Sequence, residues 1–124
     1  MAGSQEGQSR NHVDSVCHFE IGVRDYDRVK KFYSAVFNWR FEAGSQGHES
    51  IRTGHEVGGH LHVRNEPRNY TVMYIMVDDV AAAIARAESA GGKVVLGPEK
   101  EGEHGLYAWI ADPEGNVVGV YTQK

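Results

Sequence analysis

Two stretches of this chain share one pattern. Val16 to Val23 reads as a strand and runs directly into Arg24-Asp25-Tyr26-Asp27, where a capped helix can begin. Val72-Met73-Tyr74-Ile75-Met76-Val77 runs into Asp78-Asp79-Val80 in the same way, with position 72 corresponding to position 18. Such a repeat in a short chain predicts two matched units. After Asp25, the apolar residues Val29, Phe32, Tyr33, Val36 and Phe37 recur at helical spacing and form one apolar stripe. Arg28, Lys30 and Lys31 fall off it. Asn38 offers a left-handed stop. Three further strands follow over 39–42, 48–53 and 58–63, divided by turns at 44–47 and 54–56. The Gly58-Gly59 pair opening the last of them marks a bulge or a close backbone approach.

Residues 65–69, with Pro67, read as a linker, and the second copy starts near Tyr70. Asp79 or Asp78 caps a helix whose Val80, Ala83, Ile84 and Ala87 form a stripe, ended by Gly91-Gly92. Lys93 to Leu96 is the next strand, expected to break at Gly97-Pro98. A charged loop, Glu99 to Glu103, then leads into a strand over 104–111. Asp112-Pro113-Glu114-Gly115-Asn116 is a strong turn signal, and Val117 to Tyr121 closes the chain. Each half therefore reads strand, helix, strand, strand, strand. The expected class is α+β, with two βαβββ units at about 15–64 and 70–122 in one domain over 15–124. Residues 1–14, rich in Gly, Ser, Gln and Asn, read as a disordered leader.

Composition narrows the function. The 124 residues are 40% hydrophobic and 24% charged, with a net charge of −4, which is ordinary for a globular protein. The acidic balance and scattered Lys and Arg argue against nucleic acid as a partner. No apolar run reaches the ~20 residues of a membrane-spanning helix, so no membrane role is expected. The single cysteine, Cys17, cannot form an internal disulfide and fits a cytoplasmic setting. Alternation puts Cys17 on the face opposite His18, as a packing residue rather than a nucleophile.

The chemistry gathers on two strands. His18 and Glu20 share a face of the first, and His60 and His62 share a face of the fourth. Two imidazoles and a carboxylate offer a site for Zn, Ni, Mn or Fe through His18, His60 and Glu20. The competing reading is a hydrogen-bonded pair lining a polar site, with no metal cofactor. Glu20 beside His18 is also the candidate catalytic residue, an acid–base pair for proton transfer next to a carbonyl. Tyr74, Tyr107, Trp109 and Tyr121, aromatic with polar tips, suit the rest of a ligand pocket, or equally a packed core. His48, His55 and His104 fall in or beside polar turns and are read as solvated. No phosphate loop, Ser-His-Asp arrangement or Cys-x-x-Cys pair is present.

The residues His18-Phe19-Glu20-Ile21 with Asp25, Phe32-Tyr33 ahead of Phe37-Asn38-Trp39, and Asp112-Pro113-Glu114-Gly115-Asn116 before the last strand resemble the vicinal oxygen chelate superfamily. That group includes glyoxalase I, bleomycin-resistance proteins, fosfomycin-resistance enzymes and extradiol dioxygenases. The Gly58-Gly59 strand and the ending from Gly115 to Tyr121 are most similar to its glyoxalase-like branch. The resemblance implies curled mixed sheets with helices outside, a cavity between the two units, and a homodimer. It also implies metal ligands on the first and last strands of each unit. His18 matches the first such position and His60 falls at or near the second. Val72 and Gly119 occupy the third and fourth and cannot bind a metal, so the family's full site is absent. The expected function is therefore binding of a small organic ligand, as in bleomycin-resistance proteins. The alternative is a metal-dependent lyase, isomerase or dioxygenase using the partial His/Glu set.

Overall fold

The computed structural model describes residues 13–44, 49–63 and 69–123. Most of the predicted leader, His48 and residues 65–68 of the predicted linker lie outside the described residues. The elements are β1 (Val16–Gly22), α1 (Tyr26–Val36), β2 (Arg40–Ala43), β3 (Glu49–Arg52), β4 (Gly58–His62), β5 (Thr71–Met76), α2 (Val80–Ser89), β6 (Lys93–Glu101), β7 (Gly105–Ala111) and β8 (Val117–Gln123). Strand, helix and three strands thus occur twice, and the fold is α+β.

The chain forms two compact units. One is His18–Val72; the other joins the described residues up to Cys17 to Met73 and all that follows. In the first unit the strands lie in the order β2-β3-β4-β1, with β1 and β4 parallel and the other pairs antiparallel. In the second the order is β5-β8-β7-β6, with β5 and β8 parallel. The chain ahead of β1 completes the second unit: the Asp14 N–H donates to Met76 O at 2.7 Å, and Met76 N–H to Ser15 O at 2.9 Å.

Local chemistry explains the helix ends. Asp25 caps α1 by accepting from the Arg28 N–H at 3.2 Å, and Asp79 caps α2 by accepting from the Ala82 N–H at 3.1 Å. Asn38 takes the left-handed turn (φ 59°) after α1, and Gly91 (φ 101°) does so after α2. Val80 and Ala83 of α2 are buried with Val77, Ala108 and Val120. The apolar stripe of α1 is largely uncovered. None of its residues is fully buried, and Phe32, Val36 and Phe37 are 58%, 53% and 51% exposed. Only Tyr26 and Val29 reach the core of Val23, Ile51 and Leu61. The rings at the end of the helix pack on one another instead, Tyr33 on Trp39 at 5.2 Å and Phe37 on Trp39 at 5.3 Å between centroids.

The expected break at Gly97-Pro98 is also corrected. β6 continues through it to Glu101, because Leu96 pairs with Trp109 and Glu99 with Tyr107, leaving one extra residue as a bulge. Gly97 absorbs the bulge at φ +81°, where an added Cβ would meet Tyr107 O at 2.9 Å. Glu99 to Glu101 therefore extends a strand and is not a free loop.

Candidate functional site

Register builds the polar site of the first unit. β1 and β4 pair so that His18 lies opposite Gly58, Glu20 opposite His60 and Gly22 opposite His62. Since i and i+2 share a face, one face carries His18, Glu20, His60 and His62 together. His18 Nε2 lies 2.7 Å from His60 Nδ1, with the two rings stacked at 4.9 Å. The other nitrogen of the same ring, His60 Nε2, lies 3.3 Å from Glu20 Oε1. His62 stands edge-on to His60 at 6.0 Å. Glu20 is only 2% exposed, while the three histidines are half-buried. A buried carboxylate must be well bonded, and its second oxygen, Oε2, accepts from the Tyr70 hydroxyl.

This order tests the metal reading. The two nitrogens of an imidazole point away from each other along different edges of the ring. His18 meets His60 on one edge and Glu20 meets it on the other, so the three candidate ligands do not converge on one point. Among the described residues no group of three His, Cys, Asp or Glu side chains is gathered as a metal would need. A divalent ion bound by His18, Glu20 and His60 would have to break at least one bond of the chain, and the three residues as arranged do not fit it.

Tyr70 is the residue that sequence reading missed. The sequence marks it only as the start of the second copy, yet it belongs to the first unit. The available signal was Gly22 inside a strand, a sign of close approach by another group. A Cβ there would lie 2.0 Å from Tyr70 Cε2, and the Gly22 N–H donates to Tyr70 O at 2.8 Å.

In the second unit, the matching strands carry a different arrangement. Tyr74 of β5 lies opposite Gly119 of β8, and the tyrosine ring covers the glycine: a Cβ at 119 would lie 2.3 Å from Tyr74 Cδ1. Tyr74 and Trp109 are 5% and 4% exposed, and the Trp109 indole N–H donates to the Tyr74 hydroxyl at 2.8 Å. Tyr107 and Tyr121 are half-buried, their hydroxyls bonded to Glu99 at 2.7 Å and Gln123 at 3.1 Å. Burial, then the charges of Glu101 and Cys17, push the Tyr121 phenol up from its ordinary value. Burial likewise raises the Cys17 thiol, which disfavours the thiolate a nucleophile needs. His55 and His104 are exposed, and His104 lies 3.5 Å from Glu103.

The glyoxalase/bleomycin resistance protein/dioxygenase superfamily model matches residues 15–120. A glyoxylase-like domain-containing protein of Didymella fabae is 30% identical over 115 residues, covering 84% of this chain and 90% of that one. The mycobacterial glyoxylase candidate CFP32, from Mycobacterium bovis, is 29% identical over 112 residues, which cover 82% of this chain and 43% of that protein. This chain thus spans under half of that relative. Among solved structures, methylmalonyl-CoA epimerase from Mycobacterium tuberculosis covers 89% of this chain, which covers 88% of it, at TM-score 0.60 and 17% identity. The Bacillus halodurans protein BH1468 gives TM-score 0.66 at 16% identity, with 91% and 96% covered. At these identities the structural likeness is one of fold.

Proposed function

The chain belongs to the glyoxalase/bleomycin resistance protein/dioxygenase superfamily, and from that premise we propose that it is a small-molecule-binding protein whose polar contact is the His18–His60–Glu20 chain. One observation carries this reading. His60 is engaged on both edges, by His18 at 2.7 Å and by Glu20 at 3.3 Å, which builds a hydrogen-bonding wall rather than a metal cage. The ligand class that suits it is a small organic molecule with a carbonyl or hydroxyl oxygen for the imidazoles and an apolar body. A cytoplasmic setting with one free thiol is consistent with such a role.

The test is thermal stabilisation, because anything that binds only the native state raises its melting temperature. Carbonyl-bearing aromatic acids should stabilise the wild type, and His18→Ala should abolish the effect. Zn²⁺, Ni²⁺, Mn²⁺ and Fe²⁺ should not. Stoichiometric metal, lost on His18→Ala and His60→Ala, would overturn the metal-free reading in favour of a metal-dependent lyase, isomerase or dioxygenase.

A second reading, proton transfer, is favoured by the same bonded series. A buried carboxylate behind two imidazoles can offset the charge gained when the outer ring takes a proton. One solved neighbour of the same fold is a methylmalonyl-CoA epimerase holding methylmalonyl-CoA, a compound with an acidic C–H beside a carbonyl. Solvent deuterium appearing in such a ligand, and failing to appear with His18→Ala, separates catalysis from binding. The protein is further proposed to be a homodimer, with the exposed Phe32, Val36 and Phe37 covered by a second copy. Sedimentation at micromolar concentration should show a dimer that Phe32→Glu dissociates. A wild-type monomer there refutes it.

A further inference from the structure

We infer that Tyr70 is the positioning residue of this site: by holding one oxygen of Glu20 it leaves the other to His60, and so fixes which ring nitrogens of His60 and His18 carry hydrogen. The inference rests on the reading that the imidazole chain is the working end of the protein, but its test needs no ligand.

Donor and acceptor chemistry fixes the direction of each bond. Tyr70 donates its hydroxyl hydrogen to Glu20 Oε2. With Glu20 ionised, its carboxylate only accepts, so a hydrogen bond across the 3.3 Å between Glu20 Oε1 and His60 Nε2 puts the hydrogen on Nε2. A neutral imidazole with hydrogen on Nε2 has its lone pair on Nδ1. His60 Nδ1 must therefore accept across the 2.7 Å to His18 Nε2, and His18 also carries its hydrogen on Nε2. Direction thus runs one way, from His18 through His60 to Glu20, with Tyr70 closing the far end.

Tyr70 is held for this task from two sides. Its carbonyl accepts from the Gly22 N–H at 2.8 Å. Its ring fills the space beside Gly22, where any Cβ would meet ring carbons at 2.0, 2.3 and 2.6 Å. The strand glycine exists so that this phenol can reach the carboxylate. Removing the hydroxyl takes a donor from Oε2 and lets the carboxylate turn, and the preference that Glu20 imposes on His60 weakens.

The experiment is ¹⁵N NMR of the imidazole nitrogens in the full-length, ligand-free protein at a pH where the rings are neutral. The wild type should show hydrogen on Nε2 in both His18 and His60. Tyr70→Phe keeps the ring beside Gly22 and removes only the hydroxyl. It should shift the tautomer ratio of His60 at least severalfold toward Nδ1–H, because the carboxylate that sets the ratio is no longer held at Oε2. His18 should move with it, while His55 and His104 stay unchanged. An unaltered ratio in a folded Tyr70→Phe variant overturns the inference. Should that variant fail to fold, the wild-type spectrum still decides: hydrogen on Nδ1 of His60 or His18 overturns it. Loss of small-molecule binding with the tautomers as expected would sink the functional proposal alone.

Discussion

Gly119→Ala should remove roughly 3 kcal/mol of stability, although it adds a single methyl group. On the present backbone its Cβ would lie 2.3 Å from Tyr74 Cδ1 and 2.4 Å from Cε1. Carbon atoms rest at ~3.5–4.0 Å, so the ring must retreat by about an ångström or more. It has little room, because Tyr74 is 5% exposed and its hydroxyl is tied to Trp109 at 2.8 Å. Overpacking of this kind costs about 1–3 kcal/mol, and a lost buried hydrogen bond adds about 1 kcal/mol. With an unfolding entropy of about 2 cal/mol/K per residue, 3 kcal/mol corresponds to a melting temperature lower by roughly 10 °C. Urea unfolding followed by tryptophan fluorescence and by circular dichroism measures the loss. The decisive comparison is the same substitution in a Tyr74→Ala background, where the clash partner is gone and the cost should fall below about 1 kcal/mol. Equal costs in the two backgrounds would show that the ring is not what excludes a side chain at position 119.

Other expectations test separate parts of the fold. Leu61→Ala, at a residue with 0% exposure, should cost about 3 kcal/mol in denaturant unfolding, since it leaves a cavity under α1; a loss under about 1 kcal/mol would mean that Leu61 does not pack as described. Asp79→Ala should cost about 1 kcal/mol by removing the α2 cap, and Asp79→Asn should restore most of it. The Asp112 carboxyl lies below its ordinary value because the Asn116 side chain, then the Asn116 and Glu114 N–H groups, donate to it. Its stabilising contribution is therefore present above the unfolded value of roughly 4 and is lost as pH falls through the lower folded value. Asp112→Asn should flatten the stability profile below about pH 4, and an unchanged acid limb would rule the carboxylate out as its source.

Much of the fold was legible because local signals and periodicity agreed. Asp25, Asp79, Asn38 and the Asp112 turn each do in the structure what their residue types imply, and the repeat gave the order of elements. The α1 stripe shows the limit of spacing, which reports which residues share a face, not whether anything covers them. Phe32 and Val36 share that face and remain in solvent. The β6 strand was cut short for a different reason. Gly97-Pro98 looks like a break, but a bulge lets pairing resume one residue later. In the site, alternation placed His18, Glu20 and His60 on one face. It could not say that His60 would stand between the other two, since that depends on ring orientation. Tyr70 escaped altogether, as its link to Glu20 crosses a segment with no regular pattern.

Tyr70 also decides where this chain could be divided. The repeat invites a cut in the segment between the halves, just before residue 70. A front fragment ended there would carry the Glu20 carboxylate into its interior while its phenol stayed on the rear fragment. A cut directly after Tyr70, ahead of β5, would keep acid and phenol on one piece. Gene-splitting, swapping of halves with a relative, or fusion at this joint should therefore respect a boundary just past the tyrosine, not just before it.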